Sequence, residues 1–181
     1  MVVAGIALMA GLLSGCSGGG RESAAPSTAG SSASSAIVSP TPTAEAEARS
    51  DALAAYRGMW ADMASAATTS DNKSPLLARH ATGAALAQIV ESLYSDKKSG
   101  LISRGAPSLN PQVASLDIGK QPANVVISDC GDDSKWLKYR KSTGKLQNKQ
   151  VGGRHRIHAN VYGLNGSWKV VSFQLEDVGT C

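Results

Sequence analysis

The 181-residue chain lacks a hydrophobic run long enough to cross a bilayer. The uncharged apolar run near its start, residues 2–13, has about a dozen residues, whereas a transmembrane helix needs ~20. A run of that length is typical of the core of a signal peptide. The first residues are therefore expected to direct export and not to span the membrane.

The chain also lacks the common catalytic signatures. It contains no G-x-S-x-G, no H-E-x-x-H and no paired C-x-x-C motif, and Gly144-Lys145 lacks the earlier glycine of a phosphate-binding loop. We therefore assign no catalytic residue, metal ligand or cofactor, and we expect a binding function in preference to an enzymatic one.

The chain has three cysteines, so they cannot all pair with one another within it. The segment Leu13-Ser14-Gly15-Cys16 follows the apolar run and resembles the lipobox of bacterial lipoproteins. The resemblance implies cleavage before Cys16 and a lipid on its thiol. No Lys or Arg precedes the run, which we interpret as a start codon placed too late. The alternative is a secreted protein with an incidental cysteine.

Residues 17–44 consist almost entirely of Ser, Gly, Ala, Thr and Pro, a composition too polar to bury a core. We therefore divide the chain into a signal peptide (1–15), a lipidated cysteine with a flexible linker (16–44) and one domain (45–181). The linker would let the domain range roughly 30 Å from its anchor. The expected location is the extracytoplasmic face of the cell membrane.

The first half of the domain has helical periodicity. One stripe has spacings of three and four residues, and it comprises Leu53, Tyr56, Trp60, Met63 and Ala67. Ser74-Pro75 predicts the start of a short helix that ends at His80. A second stripe follows Gly83 and comprises Leu86, Ile89, Val90, Leu93 and Tyr94.

Strand-like runs replace the helices after Gly105. We predict strands over 113–118, 125–130, 154–164 and 168–176. Helices followed by antiparallel strands predict an α+β fold, with the helices on one face of a sheet.

The last two strands have two possible registers. A two-residue loop, Asn165-Gly166, mixes apolar and charged residues on each face. A three-residue loop, 165–167, pairs Leu164 with Trp168 and places the apolar residues on one face: Ile157, Ala159, Val161, Val171, Phe173 and Leu175. We predict the three-residue loop.

This order of elements is similar to the nuclear transport factor 2-like fold, a cone in which a curved antiparallel sheet wraps over helices. Secreted and lipid-anchored versions occur widely in actinobacteria. The resemblance rests on AYRGMW (55–60), ARHATGAAL (78–86), GLISRG (100–105), VISDC with GDDSKW (126–136), and NGSWKV with the terminal GTC. It implies a cone interior that binds a small apolar ligand or is filled core, lined by Tyr56, Trp60, Met63 and Phe173. The resemblance does not decide whether the protein is a monomer or a homodimer.

If Cys16 is lipidated, Cys130 and Cys181 remain, and an oxidising compartment predicts a disulfide between them. The bond requires Cα atoms within about 7 Å, so the chain must cross the sheet an even number of times between the two cysteines. Strands 154–164 and 168–176 supply two crossings. Residues 131–153 are therefore predicted to leave the main sheet and to form a small hairpin at its end.

No acidic residue occurs between Ser134 and Leu175, whereas nine basic ones do. A basic tract of this kind could hold phospholipid headgroups or a charged cell-wall polymer, or dock an envelope protein, and the expected location excludes nucleic acid. The alternative is a solvated loop. The candidate anion-binding residues are Lys135, Lys138, Arg140, Lys141, Arg154 and Arg156.

None of the three histidines is predicted to be catalytic, and a pocket enzyme of the isomerase or dehydratase type, which the resemblance also allows, is the less favoured alternative. His80 is expected to pack or face solvent. In the chosen register His158 lies on the outer face with Glu176, while His155 lies on the apolar face without an identifiable carboxylate partner. His155 and His158 occupy opposite faces of one strand and so do not form a metal site.

Overall fold

The computed structural model describes residues 42–147 and 152–181. Three helices come first: α1 (Pro42–Ala67), α2 (Leu77–His80) and α3 (Gly83–Lys98). Six strands follow: β1 (Leu101–Arg104), β2 (Gln112–Asp117), β3 (Ala123–Asp132), β4 (Leu137–Arg140), β5 (Arg154–Leu164) and β6 (Ser167–Leu175). The predicted α+β class is confirmed, while the likeness to the nuclear transport factor 2-like cone stays a prediction.

The two sheets differ in size. Strands β2, β3, β5 and β6 form a four-stranded sheet in the order β2-β3-β5-β6, and β1 pairs with β4 in a separate two-stranded sheet. All of these pairs are antiparallel. The long sheet buries one face against the helices through Val125, Ile127, Ile157, Val161 and Val170.

Helix α1 begins inside the segment that we predicted as linker. Its first three residues, 42–44, belong to the helix, so the domain starts earlier than residue 45. Proline is well tolerated in a first helical turn, where its missing N–H would have no partner. The rest of the predicted linker and the signal peptide lie outside the described residues.

The buried face of α1 agrees with the predicted stripe. Tyr56, Trp60 and Ala67 are buried, and Leu53 and Met63 pack against the same core. On α3 the predicted apolar stripe is wrong at one position, because the Tyr94 side chain is not buried but 51% exposed. The Lys98 ammonium lies 5.8 Å from the Tyr94 ring centroid.

Helix α2 is shorter than predicted. It begins at Leu77, and Ser74-Pro75 belongs to the preceding turn, in which the Leu77 amide donates to the Ser74 carbonyl at 3.3 Å. Pro75 therefore occupies a turn position for which its fixed φ is suited.

The β5–β6 hairpin combines both registers that the sequence allowed. Leu164 pairs with Ser167, so the loop has two residues and the prediction of three is wrong. Asn165 and Gly166 have φ values of 53° and 74°, as a type I′ turn requires. The register then shifts between Asn160 and Val161.

Beyond this bulge the predicted pairs appear. Ile157 lies opposite Leu175 and Ala159 opposite Phe173, as the three-residue loop would have placed them. Near the turn the inner residue of β6 is Val170, which is fully buried, and not Val171. The bulge is therefore the device that reconciles an Asn-Gly turn with an apolar inner face.

Cys130 and Cys181 form the predicted disulfide, with Cα atoms 5.9 Å apart. After β6 the chain returns to the start of β5, where the Gly179 amide donates to the Arg154 carbonyl at 2.7 Å. Two crossings of the sheet therefore separate the cysteines, as the parity argument requires.

The predicted excursion over 131–153 is wrong at its start, because Gly131 and Asp132 still pair with β5. The described residues 133–147 then leave the main sheet. Their strand β4 pairs with β1 on one side, and Tyr139 bridges to Leu146 on the other. The sequence analysis missed β1, and with it the partner that makes the excursion a small sheet instead of an isolated hairpin.

Candidate functional site

The aromatic residues predicted to border the interior contact one another, which favours the filled-core alternative. Trp60 makes edge-to-face contacts with Tyr56 and Phe173, at centroid distances of 6.4 and 5.4 Å. It also meets Trp136 at 6.2 Å. Such contacts are a favourable packing of rings, so these side chains form core and leave little room for an apolar ligand between them.

The Tyr56 side chain also anchors a buried carboxylate. Its hydroxyl donates to Asp129 Oδ2 at 2.9 Å, and the Asn110 amide donates to Oδ1 at 2.7 Å. Burial, followed by the negative charge of Asp129, raises the pKa of Tyr56 far above its usual value. The phenol therefore stays protonated as a donor, and neither group reaches solvent.

Met63 is the predicted lining residue that does border a cavity, of about 150 Å³. Polar side chains share its wall, including Asp96, Ser103 and Asp133, together with Trp136 and Lys138. Lys138 Nζ lies 2.6 Å from Asp96 Oδ1, and Asp96 is buried. The charge of Lys138, whose side chain is about half exposed, is thus partly balanced by Asp96, and its role in anion binding stays a prediction.

The predicted anion-binding residues do not form one surface. Arg154 and Arg156 lie on β5 of the large sheet, where the Arg154 guanidinium contacts Cys130 Sγ at 3.2 Å and Arg156 Nη1 lies 3.5 Å from Ser128 Oγ. Arg140 and Lys141 lie at the end of β4 in the small sheet. Lys135 is exposed in the connection between β3 and β4.

A different set of cations meets at the small sheet. The Lys141 amide donates to the Gly100 carbonyl at 2.8 Å, and the Arg140 amide donates to the Lys145 carbonyl at 2.8 Å. These bonds place the end of β4 beside the C-terminus of α3 and the start of β1. We define the basic end as six exposed residues from these segments: Lys97, Lys98, Arg104, Arg140, Lys141 and Lys145.

Half of the basic end was missed by sequence reasoning. Lys97, Lys98 and Arg104 lie about forty residues before β4 in the chain, and they join it because β1 pairs with β4. The Arg104 guanidinium lies 4.7 Å from the centroid of the Tyr139 ring, a cation–π contact. No local pattern of charge indicated this arrangement.

Two histidines lie where the sequence placed them. His158 is exposed on the outer face, with Nε2 3.0 Å from Glu176 Oε1. His155 is buried on the inner face.

His80 is more than a packing residue. Its Nδ1 lies 2.7 Å from Asp62 Oδ2, and Arg79 Nη2 lies 2.9 Å from Asp62 Oδ1. The Asp62 carboxylate is buried, whereas the Arg79 side chain is 58% exposed. Asp62 belongs to α1, eighteen residues before His80, so only the packing of α2 on α1 reveals the pair.

Within residues 42–147 and 152–181, no helix has the length and hydrophobicity of a membrane span. The same ranges contain no group of three or more His, Cys, Asp and Glu side chains placed to hold a metal ion. Cys16 lies outside them.

No protein-family model matches the chain, and no curated protein matches it significantly. Among solved structures, the chain is similar to the crystal structure of the intermembrane space region of the chloroplast protein ARC6. The match has 17% sequence identity and a TM-score of 0.42, and it covers 70% of this chain and 97% of that one. A likeness this distant carries no argument about function.

Proposed function

We propose that the protein is a lipid-anchored, extracytoplasmic binding domain of nuclear transport factor 2-like type, without enzymatic activity. Its basic end docks on an anionic cell-wall polymer. The anchor is the lipid on Cys16, and residues 17–41 supply the tether. The observation that carries the docking role is the meeting of six exposed cations from two separate segments at one end of the domain.

The charge of the basic end is available for a partner. Asp96, the acidic residue of α3 nearest to this end in the chain, is buried and already paired with Lys138. Clustered cations of this kind concentrate an anionic polymer through long-range attraction. The attraction is screened over about 8 Å at physiological salt, so binding should weaken steeply as salt is raised.

The position of the basic end favours a wall polymer over the membrane that holds the anchor. The tether joins the N-terminus of α1, a helix of 26 residues and therefore roughly 39 Å long. Beyond the other end of α1, the Ser70 hydroxyl donates to the Leu101 carbonyl at the start of β1. The basic end thus lies at the far end of α1 from the tether.

The interior supports docking in preference to storage of an apolar ligand. Tyr56, Trp60 and Phe173 contact one another as rings, and the cavity beside Met63 holds an ion pair in its wall. An apolar ligand there would have to bury charged groups, which is costly.

The docking role is tested with the full chain in neutral phosphatidylcholine vesicles. Binding of soluble polyphosphate is measured by co-sedimentation, with polyglutamate as a second polymer and protein-free phosphatidylglycerol vesicles as the membrane arm. We expect polymer binding that falls as salt rises. Arg140→Gln/Lys141→Gln should weaken it several-fold, because two cations of the basic end are lost.

Arg154→Gln/Arg156→Gln is the matched control, since it removes the same charge from the other sheet. Equal loss in both double variants would show a response to net charge alone and would contradict the assignment to the basic end. Preferential bridging to the anionic vesicles would assign the surface to lipid instead. Mass spectrometry of the same preparation tests the anchor, and an unmodified Cys16 would overturn it.

A further inference from the structure

A groove between α1, α2 and the β5–β6 turn is lined by Arg79 and His80, the two partners of the buried Asp62 carboxylate. The groove has a volume of about 340 Å³ and is lined by Asp51, Ala54, Arg79, His80 and Trp168, among others. Its size is at the lower end of the range for small-molecule sites. The groove shares no residue with the basic end, so a ligand bound in it would be independent of the proposed docking function.

Asp62 holds the Arg79 and His80 side chains in place. It engages His80 through Nδ1 and Arg79 through a single Nη2 contact. The imidazole Nε2 and the remaining guanidinium N–H groups are left for a ligand, and a guanidinium offers five donors in a planar fork.

The His80 ring rests against the backbone of α1. A Cβ atom on Gly58 would lie 2.7 Å from three atoms of the ring, so only glycine allows this approach. The close contact fixes the ring beside the groove, and it offers a way to displace His80 without altering its chemistry.

A carboxylate lines the other part of the groove. Asp51 precedes Gly58 by seven residues on α1, which corresponds to roughly 10 Å along the helix axis. Asp51 is exposed. The groove therefore presents the Asp51 carboxylate and, roughly 10 Å further along α1, the Arg79 guanidinium and the His80 imidazole, with the Trp168 indole in its wall.

We propose that this groove binds a short peptide with free ends. Arg79 and His80 receive the carboxylate, Asp51 receives the ammonium group, and Trp168 packs against the chain. Three extended residues span about 10 Å, which matches the separation of the two charged ends. A phosphate dianion fits less well, because Asp51 shares the groove and repels the additional charge.

The test uses triglycine as the probe and the full chain in neutral vesicles, with calorimetry for affinity and NMR for the His80 ring signals. We expect saturable binding that shifts the His80 signals. Triglycine amide and N-acetyl-triglycine should each bind about tenfold more weakly or worse, since each lacks one charge-assisted contact. Acetate and inorganic phosphate should bind more weakly than triglycine.

Three variants separate binding from a merely structural role of the cluster. Arg79→Gln should weaken triglycine about tenfold, and Gly58→Ala should do so by displacing the ring. Asp51→Asn should weaken triglycine while leaving its blocked N-acetyl form unchanged, and its exposed position keeps folding out of the result. Arg140→Gln, a remote loss of one cation, should change nothing.

The proposal is wrong if wild-type protein shows no saturable binding of triglycine, or binds its amide equally well. In either case the Asp62 cluster only fastens α2 to α1. Tighter binding of phosphate than of triglycine would also overturn it. None of these results bears on polymer binding at the basic end, which is measured separately.

Discussion

Tyr56 shows how one residue serves both packing and hydrogen bonding in this interior. Its ring packs edge-on against Trp60, and its hydroxyl donates to the buried carboxylate of Asp129. Burial of a carboxylate is tolerated only when its oxygens have donors. Asp129 has two, the Tyr56 hydroxyl and the Asn110 amide.

Replacement of Tyr56 by Phe should therefore lower the free energy of unfolding by about 1–3 kcal/mol, because it removes a donor from a buried acceptor. Urea unfolding followed by circular dichroism measures the loss. Tyr94→Phe is the control, since Tyr94 is half exposed and should change stability by less than about 0.5 kcal/mol.

The free energies of unfolding of wild type and Tyr56→Phe should differ less at alkaline pH. The folded-state pKa of Tyr56 lies above its ordinary value of 10.0, so the unfolded chain releases the proton first. This contribution to stability is complete below pH ~10 and is lost as the pH rises further. Wild type should thus lose stability faster than Tyr56→Phe above pH ~10, and parallel pH profiles would contradict the assignment.

At the scale of elements, the β5–β6 hairpin depends on its turn and its bulge together. Asn165-Gly166 closes the hairpin with two positive φ angles, and the shift between Asn160 and Val161 returns the apolar side chains to the helices. Either feature alone would place one part of the hairpin with the wrong face inward.

Gly166→Ala should destabilise the domain by about 1–2 kcal/mol, because a Cβ is unfavourable in the left-handed region. Space is not the cause, since a Cβ at Gly166 would meet no atom within 4 Å. Thermal unfolding measures the change. Asn165→Gly keeps both angles accessible and should be close to neutral, so a loss as large as that of Gly166→Ala would show that backbone strain is not responsible.

At the scale of the whole molecule, the disulfide joins β3 to the end of the chain. It spans 51 residues and encloses β4, β5 and β6. The C-terminal segment is also held by hydrogen bonds to β5, because the Gly179 amide donates to the Arg154 carbonyl at 2.7 Å and the Arg156 amide donates to the Thr180 hydroxyl at 2.9 Å. The last third of the domain is therefore closed on itself both covalently and by hydrogen bonds.

Cys130→Ser/Cys181→Ser should lower the free energy of unfolding by about 4 kcal/mol, because the unfolded chain regains the entropy of an open loop. Chemical denaturation of oxidised protein gives the reference. Cys16→Ser leaves the pair intact and should not change the stability of the domain. A loss below about 1 kcal/mol in the double variant would mean that the backbone contacts alone hold this end.

Features that depend on neighbouring residues were predictable from the sequence, whereas features that depend on distant segments were not. The helical stripe of α1, the bounds of β5 and the parity of the cysteine pair depend on local periodicity or on simple chain topology, and they were predictable. Strand β1 was not, because four residues carry too little pattern and their partner lies in β4. The predicted length of the β5–β6 loop was wrong because the prediction did not allow for a bulge.

The sequence by itself determined the α+β class and the order of the helices and of the four strands of the large sheet, because periodicity is written residue by residue. The pairing of Cys130 with Cys181 followed from it together with the expectation that Cys16 carries a lipid. Only the tertiary structure decided which charges act together. It brings Asp62 beside His80 and Arg79, pairs Lys138 with Asp96, and places the cations of two chain segments together at the basic end. These partners meet through packing across long stretches of chain, and no local pattern records such contacts.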